Sequence, residues 1–435
     1  MRSSATESGT AVSAPRLDID FVRTQFSGLA QGWVLFDNAG GTQVLARVVE
    51  RMNDFLFHRN VQIGGSYELS QRAAAALFDG RRAMMRLVNA RRPEEIVFAP
   101  SSTVALQNLS RAMAGQLSAG DEIVVTTTDH ESNIGPWAGL ERCGIRTKFW
   151  QPRGERLLLD LEDLGSLMTP RTRLVAVTHV SNILGTVNRI DEIARYVHER
   201  GAEICVDSVA YAPHAAIDVQ TWDVDYLVFS LYKVFGPHAA VLYGRHELLA
   251  ELDNLYHYFY GKDKVPAKLE PGNANYELAF GSTGIVDYLG ELGRRSGSAG
   301  GERAAIEAAF AAIRAHEQRL AERLLGWLRG RPDCRILGLP SGGDPGRVPT
   351  ISFTVAGHDP GELARRVDGY RIALRYGDFH ARRLVEYLGL AGANGVLRVS
   401  MAHYNTPGEV DALTEALAEI LGDGAAGVGV PGSGC

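Results

Sequence analysis

Short apolar runs alternate with helical segments over the first three hundred residues, and this alternation constrains the fold more than any other feature. Seven runs are short and rich in β-branched and aromatic residues: EEIVFAP (94–100), DEIVVTTTDH (121–130), RTKFWQP (146–152), TRLVAVTHVSN (172–182), AEICVDSV (202–209), DYLVFSLYK (225–233) and AAVLYG (239–244). Helical apolar spacing marks residues 43–58, 67–89, 104–113 and 191–201. Strands that alternate with helices usually pair in parallel, because each helix returns the chain to the same edge of the sheet. The sequence therefore predicts an α/β domain with a largely parallel sheet.

A Gly- and Ser-rich patch at residues 293–302 divides the chain. One long amphipathic helix is predicted after it, and strand and helix patterns continue to the segment PGEVDALTEALAEIL (407–421). The predicted units are a disordered lead-in (1–16), an N-terminal segment that packs with the small domain (17–40), a large domain (41–295), a small C-terminal α+β domain (300–423) and a disordered, low-complexity tail (424–435).

Charge and cysteine usage exclude several classes of protein. The formal charge of −6 and the pI near 6.1 argue against nucleic acid or an anionic membrane as the main partner. No apolar run reaches the length of a transmembrane helix, and the polar N-terminus lacks the apolar core of a secretory signal. The four cysteines are too widely spaced for a zinc motif or a disulfide framework: Cys143, Cys205, Cys334 and Cys435. The sequence predicts a cytoplasmic protein with reduced thiols and no metal site.

Polar residues follow the carboxyl ends of the predicted strands, where α/β sheets bind their ligands. They include Ser101–Thr103, His130, Asn182, Asp207 and Lys233. Each one alone has a plain structural explanation, such as a helix cap, a core histidine, a turn cap or a lysine that reaches solvent. Together, a lysine, a strand-end carboxylate and hydroxyls at a helix N-terminus suit pyridoxal phosphate. The amine forms a Schiff base, the carboxylate faces the pyridine nitrogen, and the helix N-terminus takes the phosphate.

Six stretches, which span almost the whole chain, carry a resemblance to a known family. They are FDNAGGTQ (36–43), DHESNIGPW (129–137), THVSNILGTVNRI (178–190), AEICVDSVAYAPHAAIDVQTWDVDYLVFS (202–230), YKVFGP (232–237) and LRVSMAHYNTPGEVDAL (397–413). With them the chain resembles the class V aminotransferases, a family of fold-type I pyridoxal-phosphate enzymes, on the branch of cysteine desulfurases and selenocysteine lyases. The resemblance implies a large domain with a mostly parallel, seven-stranded sheet, a smaller α+β C-terminal domain and a homodimer.

By position, the resemblance also implies a role for each matching residue. Three are implied to be catalytic: Lys233 as the Schiff-base lysine, Asp207 as the carboxylate on the pyridine nitrogen, and His130 as the histidine stacked on the ring. The other implied contacts are Asn182 near the ring hydroxyl and the substrate, Ser102, Thr103 and Ser230 as phosphate-binding hydroxyls, and Arg398 as the partner of the substrate carboxylate.

The sequence departs from the family pattern around the cofactor. Tyr232 stands where the family usually has a histidine, and its phenol can still donate to a phosphate. Ala210 stands where the family usually has a glutamine, which removes one hydrogen bond to the ring hydroxyl. Ser282 and Thr283 stand in the segment that the partner subunit often supplies to the phosphate, and they are the predicted phosphate contacts there.

A further departure concerns the reaction itself. Desulfurases attack the substrate sulfur with a cysteine thiolate on a loop that matches residues 375–381 here. That loop has His380 at the cysteine position and retains Arg375, and both are predicted substrate contacts. The four cysteines lie in other sequence contexts, so the pattern disfavours a desulfurase that forms a persulfide.

A thiol-free site can still act at the α-carbon of an amino acid. The first expectation is a C–S lyase that eliminates the sulfur of a cysteine S-conjugate, because that sulfur leaves without an enzyme thiol. The alternatives are an isopenicillin-N-epimerase-like epimerase, transamination and a deamination linked to decarboxylation. A desulfurase and a scaffold without turnover are less favoured. A scaffold would not need Lys233, Asp207, His130 and Arg398 together.

Overall fold

The computed structural model describes residues 17–422. The predicted lead-in (1–16) and tail (424–435), with Cys435, lie outside the described residues. The helices are α1 (Ile19–Thr24), α2 (Ala46–His58), α3 (Glu68–Val88), α4 (Ser102–Met113), α5 (Gly135–Ala138), α6 (Leu161–Leu167), α7 (Ile190–His198), α8 (His246–Glu251), α9 (Tyr276–Gly281), α10 (Thr283–Arg295), α11 (Glu302–Arg329), α12 (Pro360–Asp368), α13 (Arg382–Tyr387) and α14 (Pro407–Leu421). The strands are β1 (Val34–Leu35), β2 (Ile96–Ala99), β3 (Glu122–Thr126), β4 (Arg146–Trp150), β5 (Thr172–Thr178), β6 (Glu203–Asp207), β7 (Tyr226–Ser230), β8 (Ala240–Gly244), β9 (Cys334–Leu337), β10 (Thr350–Val355), β11 (Ile372–Ala373), β12 (Arg375–Gly377) and β13 (Val396–Ser400).

The largest sheet has seven strands in the order β2-β8-β7-β6-β5-β3-β4. Only β8 among them runs antiparallel to its neighbours. Every residue of β2, β3, β7 and β8 is buried, which explains why these strands are continuous apolar runs rather than alternating ones. The predicted α/β class with a mostly parallel sheet is confirmed.

A second, four-stranded sheet follows the long helix α11. Its strands are antiparallel in the order β12-β13-β10-β9. The first half of α11 packs into the core of the large sheet through Ile306 and Phe310, and its second half packs into the core of the small sheet through Leu320 and Leu324. One 28-residue helix therefore belongs to both cores.

The N-terminal segment also contacts both cores. β1 pairs in parallel with β11, and Phe36 is buried in the core of the small sheet. Val22 and Phe26 are instead buried in the large core, where the ring of Phe26 meets that of Phe235 edge to face at 5.7 Å. Arg23, in the first half of the segment, also donates to the carbonyl of Tyr404 and pairs with Glu409, so both halves contact the C-terminal part of the chain.

Residues 17–422 contain neither a candidate membrane-spanning helix nor a candidate metal cluster. No helix in this range combines the length and the apolar character that crossing a bilayer requires. The same residues contain no group of three or more His, Cys, Asp or Glu side chains placed to hold a metal ion.

Candidate active site

A pocket lies at the carboxyl ends of β2, β3, β5, β6 and β7, which all point to one edge of the large sheet. It encloses about 470 Å³, including its open mouth. The predicted residues that line it are Ser102, Thr103, His130, Asn182, Asp207, Ser230, Tyr232 and Lys233. Parallel strands end at the same edge, and for this reason residues far apart in sequence meet here.

Lys233 enters the pocket from a short 3-10 turn between β7 and β8. The backbone N–H of Leu231 donates to Ala239, and the N–H of Gly236 donates back to Leu231, so the turn closes on itself. A Cβ at Gly236 would lie 2.7 Å from the end of the Ile285 side chain and 3.0 Å from the Leu231 carbonyl, so a larger residue here would force these neighbours to shift. The Lys233 side chain is only 8% exposed, and burial together with the nearby Arg398 guanidinium lowers the pKa of its amine to about 8.

Asp207 is the last residue of β6 and faces the same pocket. Its Oδ1 accepts the backbone N–H of Val209 at 2.9 Å. Burial raises the pKa of this carboxyl to about 6, an effect that the Val209 N–H and the Lys233 amine oppose. Ionised Asp207 is thus held in an environment that favours a positively charged partner.

The first turn of α4 brings hydroxyl groups to the pocket. Ser101 caps this 12-residue helix, because its side chain accepts the backbone N–H of Val104 at 3.2 Å. The Ser102 and Ser230 hydroxyl oxygens are 2.8 Å apart, and Thr103 lines the same wall. Hydroxyls and free N–H groups at a helix N-terminus bind phosphate.

His130 lies at the mouth of the pocket with one ring nitrogen already engaged. Its Nδ1 accepts the backbone N–H of Ser132 at 3.1 Å and lies 2.8 Å from the Ser132 hydroxyl. A nitrogen that accepts an N–H carries no proton itself, so the proton of the neutral ring is on Nε2. Burial and the positive charge of Lys233 lower the pKa of His130 to about 3, which keeps the ring neutral.

Asn182 joins the pocket to the small domain. Its Nδ2 donates to the carbonyl of Phe379 at 2.9 Å, and its own carbonyl accepts from Arg398 at 3.1 Å. The Oδ1 of Asn182 and the Nε of Arg398 are buried without a hydrogen-bond partner. Since buried polar atoms are normally satisfied, these two atoms indicate that the site is completed by a bound molecule.

Arg398 and Arg375 are directly opposite each other on β13 and β12, with their side chains on one face. Asp37 lies beside both guanidinium groups, at 3.0 Å from Arg398 and 3.5 Å from Arg375. The Arg398 guanidinium also stacks on the Phe379 ring at 3.7 Å, whereas 55% of the Arg375 side chain is exposed. The carboxylate of Asp37 offsets the repulsion between the two arginines and orients the buried one.

His380 is exposed at the mouth of the pocket, and its ring centroid is 5.1 Å from that of His130. Ser282 and Thr283 lie elsewhere. Their hydroxyls donate to the carbonyls of Ala279 and Phe280 in the preceding turn, where the two residues are buried. Within one chain they do not line the pocket, and their role across a homodimer stays a prediction.

Several pocket residues were absent from the predicted set. Ser132 fixes His130, and Thr178, at the end of β5, donates its hydroxyl to the carbonyl of Val180 at 2.8 Å. The sequence pattern does place Thr178 at the end of a predicted strand, but it assigns this residue no role. Ser132 became recognisable only when the structure placed its N–H on the histidine ring. Ala210 lines the pocket without a polar group.

The described cysteines lie away from the pocket. Cys143 is exposed in a turn, and Cys334 is partly buried on β9. Cys205 is buried within β6, where burial raises the pKa of its thiol well above the ordinary range. Among residues 17–422, no thiol therefore lines the pocket.

Known proteins with similar sequences and structures belong to the family that the sequence motifs resemble. The family model "Aminotransferase class-V" matches residues 34–413. The chain is 41% identical to the aminotransferase-like protein FGM3 of Gibberella zeae, over 94% of this chain and 100% of that protein. It is 32% identical to the cysteine desulfurase-like protein ustD of Aspergillus flavus, over 93% and 91% of the two chains. The solved cysteine desulfurase CsdA of Escherichia coli is similar with a TM-score of 0.79 and 27% identity, over 93% of this chain and 98% of that one.

The pocket fits the cofactor of this family. It offers a buried amine with a lowered pKa, a buried carboxyl, paired hydroxyls at a helix N-terminus and a buried amide oxygen without a partner. These groups suit the aldehyde, the pyridine nitrogen, the phosphate and the ring hydroxyl of pyridoxal 5'-phosphate. The chain belongs to the class V aminotransferase family, whose members use pyridoxal 5'-phosphate.

Proposed function

We propose that this protein is a C–S lyase that removes the sulfur substituent from a cysteine S-conjugate, leaving a thiol, pyruvate and ammonia. The observation that supports this reaction is a set of cofactor-binding groups around Lys233 and Asp207, beside a loop that carries His380 where a desulfurase carries a thiol. A sulfur that is already substituted leaves with its substituent, so the reaction needs no enzyme persulfide.

The cofactor, when bound, withdraws electrons from the substrate α-carbon and so makes the proton on that carbon acidic. Arg398 binds the α-carboxylate, because its buried guanidinium has a free Nε and is held on one side by Asp37. Lys233 takes the α-proton, since its amine is uncharged in a useful fraction of molecules near neutral pH. His130 stays neutral, covers the mouth of the pocket and helps to exclude water.

The test uses purified holoenzyme and a panel of S-alkyl and S-aryl cysteines. We expect pyruvate and thiol in equal amounts, with the visible absorbance of the bound cofactor changing on mixing. A spectral change without pyruvate contradicts the lyase and favours epimerisation or transamination. These are separated by loss of the substrate's optical activity and by keto-acid formation with retained sulfur.

A cysteine-free variant separates the lyase from a desulfurase. Cys143→Ser, Cys205→Ala, Cys334→Ser and Cys435→Ser are combined, because the described cysteines are remote from the pocket. We expect the pyruvate rate to stay within about twofold of the parent, since surface changes and a small core change leave the site intact. A desulfurase with an essential thiol would instead lose its turnover. Thermal unfolding of the variant, measured in parallel, controls for the change at buried Cys205.

The lowered pKa of Lys233 predicts the pH dependence of cofactor capture. Only the uncharged amine attacks the cofactor aldehyde, so below pH 8 the capture rate of the apoprotein should rise about tenfold per pH unit and then level off near pH 8. Stopped-flow absorbance after mixing apoprotein with pyridoxal phosphate measures this rate. A rate that keeps rising beyond pH 9.5 would show that the amine titrates as an ordinary lysine.

A further inference from the structure

We propose that His380 is a catalytic residue, the acid that protonates the leaving sulfur. This role rests on the proposed C–S elimination. His380 lines an outer basin of about 1350 Å³, open to solvent, which shares Thr103, His130, Ser132 and Tyr232 with the cofactor pocket. A substituent on the substrate sulfur has to extend from the pocket into this basin. The imidazole of His380 is therefore on the side from which the sulfur departs.

The loop that carries His380 is held in an unusual conformation. Phe379 and His380 both have positive φ, at 51° and 59°, a backbone region that non-glycine residues rarely adopt. Three hydrogen bonds hold the loop there: Asn182 Nδ2 to the Phe379 carbonyl at 2.9 Å, the Glu131 N–H to the His380 carbonyl at 2.7 Å, and the His380 N–H to Asp378 Oδ1 at 3.1 Å. The imidazole is thus placed by its backbone and kept next to His130.

The imidazole and carboxylate groups nearest to His380 are engaged with other partners. His130 is half-buried, its pKa is lowered to about 3 by burial and by the charge of Lys233, and its Nδ1 is occupied by Ser132, so it stays neutral and does not carry a proton in from solvent. Glu131 is paired with Arg383 at 3.0 Å, and Asp378 and Glu386 both face Arg382. His380 is exposed, and imidazole is the side chain that most often acts as a general acid.

The step balances without a further reactant. The bond between the β-carbon and sulfur breaks, and its electron pair stays on sulfur. The His380 imidazolium gives its proton to that sulfur, so a neutral thiol leaves and a neutral imidazole remains. Solvent water then returns a proton to the exposed ring. Lys233, deeper in the pocket, holds the α-proton and so remains separate from this transfer.

A series of cysteine conjugates with leaving thiols of graded acidity, from alkyl to nitrophenyl, tests the role in the holoenzyme. The variant is His380→Asn, because asparagine tolerates positive φ and keeps the loop but is a poor acid. We expect kcat/KM to fall about 100-fold for alkyl thiols and less than threefold for nitrophenyl thiols, since acidic thiols leave without a proton. Tyr376→Phe, on β12 outside the pocket, should leave the dependence on thiol acidity unchanged.

Each other outcome overturns the role. A uniform loss across the series means that His380 only supports the structure, and an unchanged series means that it takes no part. A changed dependence in Tyr376→Phe rather than in His380→Asn assigns the proton to the tyrosine. If the wild-type enzyme binds the conjugates, as cofactor absorbance reports, yet releases no thiol from any of them, the proposed function itself fails and this role with it.

Discussion

Replacing Lys233 by alanine is expected to reduce turnover by about 10⁴-fold or more. In the proposed mechanism, the change removes both the amine that attaches the cofactor and the base that takes the α-proton, and each of these contributes a large factor. Lys148, Lys262, Lys264 and Lys268 do not line the pocket, so none of them is placed to replace it. Pyruvate release under saturating cofactor measures the loss.

Chemical trapping identifies the attachment site directly. The chain has five lysines: Lys148, Lys233, Lys262, Lys264 and Lys268. Borohydride reduction of the holoenzyme followed by peptide mapping should label Lys233 alone, and the alanine variant should take no label. Lys262→Ala is the matched control, because that side chain is 68% exposed and pairs only with surface Glu251. A label on another lysine, or an alanine variant with more than a hundredth of the activity, would contradict the assignment.

Asp207→Asn is expected to lose about 10³-fold in turnover and to stabilise the apoprotein at the same time. Turnover falls because a neutral amide no longer stabilises positive charge on the pyridine nitrogen. Stability rises because burial raises the folded pKa of Asp207 to about 6 from 3.8, so the carboxyl favours folding below pH 3.8 and loses that contribution as pH rises through 6. The amide avoids this cost, a gain of about 3 kcal/mol above pH 7 that vanishes near pH 4.

Urea unfolding of apoprotein at pH 4.5 and pH 7.5 measures the difference in the free energy of unfolding. Asp129→Asn is the matched control, since Asp129 is also buried and its pKa is raised by burial and by the charge of Asp207. Its two oxygens accept from Thr126, Asn133 and the Thr178 N–H. An amide there turns an NH₂ group toward a donor, so this variant should be destabilised. Stabilisation of both variants, or of neither, would contradict the account of Asp207.

Much of the site could be predicted from sequence because strand ends gather at one sheet edge. Asp207 and Lys233 directly follow recognisable apolar strands, and Ser102 follows another just before a helix. Because these strands are parallel, the topology of the sheet brings the residues that follow them to the same edge. The resemblance to a known family then supplied their individual roles, and its fold is confirmed.

Other features depend on contacts that no local pattern contains. Asp37 reaches Arg398 across 361 residues, and its pairing with Arg375 follows from strand register in a different sheet. The rings of His130 and His380 lie close together where the Glu131 N–H donates to the His380 carbonyl. This contact joins two loops that are about 250 residues apart in sequence. The hydroxyls of Ser282 and Thr283 donate to backbone carbonyls in the preceding turn. Such local hydrogen bonds are not visible in a sequence motif.

The way in which the 378–381 loop is fixed has an evolutionary consequence. Its backbone is held by Asp378, Asn182 and the Glu131 N–H, not by the imidazole that it presents. The side chain at position 380 is exposed, so exchanging it costs little folding free energy if the new residue accepts a left-handed backbone. The side chain proposed as the acid is thus interchangeable, and a substitution at position 380 alone changes the group that this loop presents to the pocket mouth.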